Sequence, residues 1–285
     1  MRNFVLLNIL IIQVLVLDLE QLTQEVCRVA REAGAYLRDE QQRLKAEQVE
    51  RKHAHDYVSY VDKTSEEMIV ARLRLLLPEA GFLTEEGTCL TEEAVEDEGR
   101  GVPCWVIDPL DGTTNYVHGN HPFAVSIALR NEREVLMGVV YEVSLDECFA
   151  AWKGGGAWLN GKPIGVSNKP IKEALLGLEL PYDADMYRET GLRLIRHFYG
   201  YAGGIRMNGS AAVALCYVAC GRWDGWIERG LGQWDFMAAG LIIKEAGGKT
   251  TNFEGNPFFL NGDDIVASNG LIQEDLLQAL NDLTI

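Results

Sequence analysis

The chain has 285 residues, 47% of them hydrophobic and 24% charged, a composition able to bury a full core in one large domain or two fused halves. Its net charge of −16 and pI of about 4.8 repel nucleic acid and anionic membranes at long range, which excludes recognition through broad basic patches. A phosphate-bearing substrate is repelled as well, unless bound cations reverse the local sign.

The start, MRNFVLLNILIIQVLVLDLE, holds 14 mostly apolar residues from Phe4 to Leu17, short of the ~20 that span a bilayer. Only Arg2 is basic ahead of the run, Asn8 and Gln13 interrupt it, and no small-residue cleavage site follows. These features speak against a secretory signal. We expect residues 1–17 to be an apolar N-terminal extension, with no stable membrane span, on a cytoplasmic protein. The six cysteines, Cys27, Cys89, Cys104, Cys148, Cys216 and Cys220, include no CxxC. They read as free thiols in a reducing compartment.

From Asp18 to Gln41, Leu22, Val26, Val29, Ala30 and Ala33 recur at helical spacing. A second helix is expected from about Thr64 to Leu77, carrying Met68, Ile69, Leu73 and Leu76. Between the two lies a polar stretch ending in DYVSYVD. Residues 87 to 103, GTCLTEEAVEDEGRGVP, read as an exposed acidic loop without chemistry. Over residues 122 to 166 the runs FAVSIALR, VLMGVVYEV and ECFAAW, followed by an Asn160-Gly161 turn signal, predict an antiparallel meander.

After Pro181 the pattern alternates: helix about 188–199, strand 202–207, helix 209–220, strand 223–228 and helix 234–246, closed by Gly247-Gly248. The strands KTTNF and DIVASN precede a last helix, LIQEDLLQALNDL. Such alternation indicates layered α and β structure. We expect an N-terminal α+β half over 18–167 and a C-terminal half over 168–285, packed as one unit because no linker separates them.

The chemistry concentrates in CWVIDPLDGTTN. Trp105, Val106 and Ile107 make a buried strand, and Pro109 holds Asp108 extended at its end, pointing into a cleft. Gly112 permits a tight turn, and Thr113-Thr114-Asn115 look like a helix start whose free N–H groups form an anion site. Two carboxylates this close repel unless something positive lies between them, and hard Mg²⁺ prefers such ligands together with phosphate. The plain alternative is a turn in which Asp108 and Asp111 bond nearby backbone. Glu85-Glu86, Asp235 at the head of an apolar helix, and Asp62 after a short extended run are further acidic candidates, each with its own plain reading as surface pair, N-cap or turn residue.

Five segments, DYVSYVD, TEE, WVIDPLDGTTNYVHG, NGSAAVALCYVACG and WDGWIERGLGQWDFMAAGLIIKEAGG, occur in the order and at separations similar to those of the inositol monophosphatases. The chain resembles that family of magnesium-dependent, lithium-sensitive phosphatases from about Asp18 onward. The resemblance implies an α+β fold, a layered αβαβα sandwich of the inositol monophosphatase and sugar phosphatase type, and a homodimer. It implies two or three Mg²⁺ ions: Glu85, Asp108 and the Leu110 carbonyl for the first, Asp108, Asp111 and Asp235 for the second, and Glu85 for a weaker third. Asp62 and Thr113 match the pair that orients and deprotonates the attacking water. The amides of Gly112 and Thr113 match the phosphate cradle, and Asp111, Ser210, Ala211 and Glu228 match substrate contacts.

The residues after DGT, Thr-Asn-Tyr-Val-His, resemble the inositol phosphatases, where nucleotidase relatives carry a lysine and histidinol phosphatases an arginine. The implied substrate is a small phosphorylated polyol, inositol monophosphate, cleaved by in-line attack of metal-activated water. The rivals are a 3'(2'),5'-bisphosphate nucleotidase, a fructose 1,6-bisphosphatase or other broad sugar phosphatase, and a regulatory protein bound to transcription machinery. TEE in place of the family's common GEE, and the apolar extension, are departures from the pattern.

Overall fold

The structure is a computed structural model that describes residues 18–43, 49–53, 56–88, 102–179, 184–256 and 264–281. The expected extension over 1–17, Cys89 and most of the acidic loop lie outside the described residues. Among the described residues no helix is long and apolar enough to cross a membrane.

Helix α1 (Leu19–Gln41) begins where Asp18 Oδ1 accepts from the Gln21 amide at 3.0 Å, satisfying one of the free N–H groups of the first turn. It buries Leu22, Val26, Val29, Ala30, Ala33 and Leu37 along one stripe. A hairpin of β1 (Val49–His53) and β2 (Asp56–Ser59) leads directly into α2 (Tyr60–Leu76). This helix starts four residues before the expected Thr64, so Asp62, which follows the short strand β2 as expected, already stands in a helical first turn. Met68, expected in the core, is 37% exposed, whereas Ile69 and Leu73 are fully buried.

The first sheet has seven strands in sequential order: β3 (Gly81–Thr84), β4 (Cys104–Asp111), β5 (Ala124–Arg130), β6 (Val135–Glu142), β7 (Glu147–Trp152), β8 (Ala157–Leu159) and β9 (Lys162–Ile164). All neighbours are antiparallel except β3 and β4. The meander is as expected. Strand β3 was not foreseen, because four residues pairing in parallel across a long connection leave no hairpin signal. A short helix, α3 (Thr113–Val117), follows β4.

The second sheet, β10 (Leu175–Leu178), β11 (Gly204–Arg206), β12 (Gly225–Arg229), β13 (Lys249–Thr251) and β14 (Asp264–Ser268), runs in the order β11-β10-β12-β14-β13. Its helices are α4 (Ala184–Phe198), α5 (Ala211–Ala219), α6 (Gln233–Glu245) and α7 (Gln273–Asn281).

Strand periodicity sorts these elements into layers. On β5, Val125, Ile127 and Leu129 join the apolar cluster of α1 and α2, while Ala124 and Ala128 face the cluster of α5 and α6. Beyond α5 and α6 lies the second sheet, whose outer face packs Ile227 and Val266 against Leu194 and Phe198 of α4 and Leu276 of α7. The order helices, sheet, helices, sheet, helices is the expected αβαβα sandwich.

The face of the first sheet toward α6 mixes Val106, Val140 and Phe149 with the small Ala124, Ala128 and Ala151. A β-carbon at Gly138 would stand 2.6 Å from the Ala238 carbonyl oxygen, so only glycine lets the helix lie this close. Gly138→Val should therefore destabilise the fold by roughly 1–3 kcal/mol through overpacking, read as a lower urea midpoint. A wild-type midpoint would show that α6 does not rest on this strand.

Candidate active site

Strand β4 carries two acids through a bulge. Asp108 pairs with Ser126 and Asp111 with Ala124, so Pro109 and Leu110 stand together opposite Val125. Proline fits there because a bulge residue has no ladder bond to donate. Asp108 therefore lies inside the strand, before the bulge, rather than at its end as the sequence suggested. It falls on the face toward α6, two residues after Val106 of that cluster.

The corner is tied to itself. The Leu110 amide donates to Asp108 Oδ1 at 2.8 Å, and Thr113 Oγ1 donates to the Leu110 carbonyl at 2.9 Å. Gly112 takes φ +86°, and a β-carbon on it would meet the Pro122 carbonyl oxygen at 2.9 Å. Helix α3 starts immediately behind, with Gly112 as its N-cap.

The C-terminal half supplies the other wall. Asp111 Oδ2 accepts from the Ala212 amide at 2.9 Å and from Ser210 Oγ, so its charge sits at the positive end of α5. Asn115 Nδ2 bridges the halves, donating to the carbonyls of Pro122 at 2.8 Å and Asn208 at 2.7 Å. Asp235, in the first turn of α6, accepts from the Gly232 amide at 2.6 Å. Ser126 Oγ donates to the Trp234 carbonyl at 3.0 Å, fastening that turn to β5.

Asp108, Asp111 and Asp235 thereby come together, each offering a carboxylate oxygen within 4.8 Å of the others. Burial and the charges of Glu85, Asp111 and Asp235 push Asp108 well above the usual carboxylate range. Asp235 is raised likewise by burial and then by Glu85 and Asp111, against the opposing bonds from Gly232 and Asp108. Asp111 is raised to about 6 by burial, its bonds to Ser210 and the α5 amides resisting. Three hard oxygen donors that repel one another in a buried site suit a divalent cation.

The other expected residues surround this cluster. Glu85 follows β3, its amide donating to the Ile107 carbonyl at 3.2 Å; its charge acts on Asp108 and Asp235, although it stands outside the group of three. Asp62 is buried in α2, one turn before Ser65, whose hydroxyl donates to the Pro109 carbonyl at 3.2 Å. Ser210 and Ala211 open α5 beside Asp111. Glu228 is the penultimate residue of β12, holding Trp226 Nε1 at 3.0 Å, and is pushed well up by burial and the charges of Asp235, Glu179 and Asp111.

Glu66 escaped the sequence reading. Fully buried in α2, it accepts from Thr84 Oγ1 at 2.9 Å, the Glu86 and Thr88 amides at 2.8 Å and Thr88 Oγ1 at 2.6 Å, and so shapes the loop bearing Glu85. A glutamate in SEEM looks like surface helix, and no local signal marks it as a buried acceptor. Asn115 was read only as part of a helix start.

The chain matches the inositol monophosphatase family over residues 18–284. It is 38% identical over 234 residues to an inositol-1-monophosphatase of Mesorhizobium japonicum, covering 82% of this chain and 86% of that protein. It is 41% identical over 246 residues to Nus factor SuhB of Pseudomonas aeruginosa, covering 85% and 89%. The crystal structure of extragenic suppressor protein suhB from Bartonella henselae superposes with a TM-score of 0.83 at 36% identity, covering 91% of this chain and 98% of that one.

Raised carboxylates stabilise the metal-free fold only while protonated. For Asp111 the contribution is complete below 3.8 and lost as pH rises through about 6, and the raised Asp108 and Asp235 lose theirs in the same direction. In chelator, the melting temperature should fall as pH rises from about 4 through about 6. A divalent cation should restore it at the upper end and do little at the lower, where protons already neutralise the cluster. A chelated protein equally stable at both ends would contradict this electrostatic account.

Proposed function

The chain belongs to the inositol monophosphatase family, a family of metal-dependent phosphatases, and we propose that it hydrolyses inositol monophosphate, or the phosphomonoester of a similar polyol, to the alcohol and phosphate. The observation that carries this reading is the cluster of Asp108, Asp111 and Asp235 beside the amide-rich start of α3. A phosphoryl group needs positive charge on its oxygens and a water in line with the leaving group. In this reading the carboxylates would hold the positive charge, and Asp62 and Thr113 would position the water.

In this reading Glu85, Asp108, the Leu110 carbonyl, Asp111 and Asp235 hold two or three Mg²⁺ ions. When bound, magnesium supplies the positive charge that an acidic chain lacks and lowers the pKa of water toward ~7. Asp62 and Thr113 orient the attacking water and accept its proton. The Gly112 and Thr113 amides hold the phosphate oxygens, where a helix start already favours an anion. Glu228 accepts from a ring hydroxyl with Trp226 keeping its carboxylate in place, and Ser210 and Ala211 flank the ring. We further propose a cytoplasmic homodimer.

A second reading, a partner of transcription machinery, is favoured by the 41% identity to a protein named Nus factor SuhB. Phosphate release at millimolar Mg²⁺, compared among inositol 1-phosphate, 3'-phosphoadenosine 5'-phosphate and fructose 1,6-bisphosphate, tests the first. Inositol 1-phosphate should be preferred, and chelator should abolish turnover. Preference for either other substrate overturns the polyol assignment, and no turnover on any of the three favours the regulatory reading.

Asp111→Asn should lower kcat at least about a hundredfold. Glu228→Gln should raise KM for inositol 1-phosphate about tenfold, as for the loss of one charged hydrogen bond, with little change in kcat. An unchanged KM would remove Glu228 from the substrate contacts.

A further inference from the structure

Helix α1 and strand β7 meet on the face of the first sheet turned away from the carboxylate cluster. There Cys27 of α1 and Cys148 of β7 are both free thiols, hydrogen-bonded to each other and packed in one apolar cluster. Cys148 is buried, whereas Cys27 is half-buried at the edge of α1. The two stand 121 positions apart, so their meeting is purely tertiary.

A polar clamp fixes the approach. Arg31, one turn beyond Cys27, donates to Asp146 Oδ1 and to Asn160 Oδ1, each at 2.8 Å. The same Asn160 oxygen accepts from the Cys148 amide at 3.0 Å. One asparagine thus ties the backbone of one cysteine to the helix turn that follows the other. Nothing in the phosphatase chemistry uses either thiol.

We propose that Cys27 and Cys148 form a redox pair that closes to an intramolecular disulfide, joining α1 to β7, on reaction with a low-molecular-weight disulfide such as oxidised glutathione. Cys27 attacks, being the accessible member, and its S–S bond to one glutathionyl sulfur forms as the other glutathione leaves as thiolate. Cys148 then attacks the Cys27 sulfur, giving up its proton and expelling the second glutathione. The protein pair is oxidised by two electrons, the reagent disulfide is reduced to two thiols, and the two cysteine protons end on them.

The surroundings suit this order. The bond from Cys148 and the charges of Arg31 and Arg28 hold the Cys27 thiol below its ordinary value, while the bond to Cys27 and burial push Cys148 well up. A more accessible thiol with a lowered pKa beside a buried resolving thiol is the arrangement that favours closure. Closure brings the two hydrogen-bonded sulfurs to about 2.05 Å.

Phe149, the neighbour of Cys148, faces the α5 and α6 layer, whereas Cys148 faces α1. The disulfide therefore lies behind the sheet, and its effect falls on stability rather than turnover. A crosslink across so long a loop removes much of the unfolded chain's freedom.

The test treats the full reduced chain with oxidised glutathione and follows intact mass, peptide mapping and thermal unfolding. The expected product has lost two hydrogens, maps to a Cys27–Cys148 peptide, melts at least about 5 °C higher, and reverts with dithiothreitol. Cys27→Ser should abolish all three changes, and Cys104→Ser should leave them intact. Stable glutathione adducts without ring closure, a linkage between other cysteines, or a disulfide that leaves the melting temperature unchanged would overturn the proposal. Should Cys27→Ser fold poorly, blocking Cys27 in the wild-type chain with iodoacetamide before oxidation gives the same discrimination.

Discussion

Mutual repulsion among Asp108, Asp111 and Asp235 is the constraint on which the cleft depends. Carboxylate oxygens within 4.8 Å of one another cannot all carry charge in a buried site without compensation. Each acid has a partial answer of its own: the Leu110 amide for Asp108, the start of α5 for Asp111 and the Gly232 amide for Asp235. These bonds orient the groups without neutralising them. The remaining deficit of positive charge fits a metal-dependent family, whose cations would reverse the local sign on a chain of net charge −16.

The framework exists to hold these three in register. Asp108 and Asp111 come from one strand, turned through a bulge at Pro109 and Leu110, so their separation is set locally. Asp235 arrives from another element altogether, on a helix that must lie close against the first sheet. Gly138, Ala124 and Ala128 leave room for that helix, and Ser126 fastens its first turn. The sheet's other face carries Val125, Ile127, Leu129 and Tyr141 against α1 and α2. One face packs against α1 and α2 through bulk, and the other admits α6 at Gly138 and its neighbouring alanines.

Groups outside the carboxylate cluster brace its surroundings. Asn115 spans the loops around Pro122 and Asn208, while Glu66 organises the turn that carries Glu85. Such buried acceptors are costly unless fully bonded. Here four donors satisfy Glu66, so the loop beside the cleft is held by its hydrogen bonds instead of by apolar packing.

By itself the sequence determined what is local. The helical stripe of α1, the meander of β5 to β7, the Asn160-Gly161 turn and the strand and helix start of VIDPLDGTTN follow from periodicity, proline and glycine acting on neighbours, whereas the bulge between Asp108 and Asp111 does not. The ordered motifs added the family and with it the set of acids to compare. What only the tertiary structure decided is non-local: that Asp62 sits in a helical turn facing the Pro109 loop, that Glu66 is buried while Met68 is not, that β3 and β10 pair as strands, and that Cys27 touches Cys148. No residue type or spacing encodes these, because each depends on which surfaces the folded layers bring within bonding distance, and that distance is fixed only when the whole sandwich has packed.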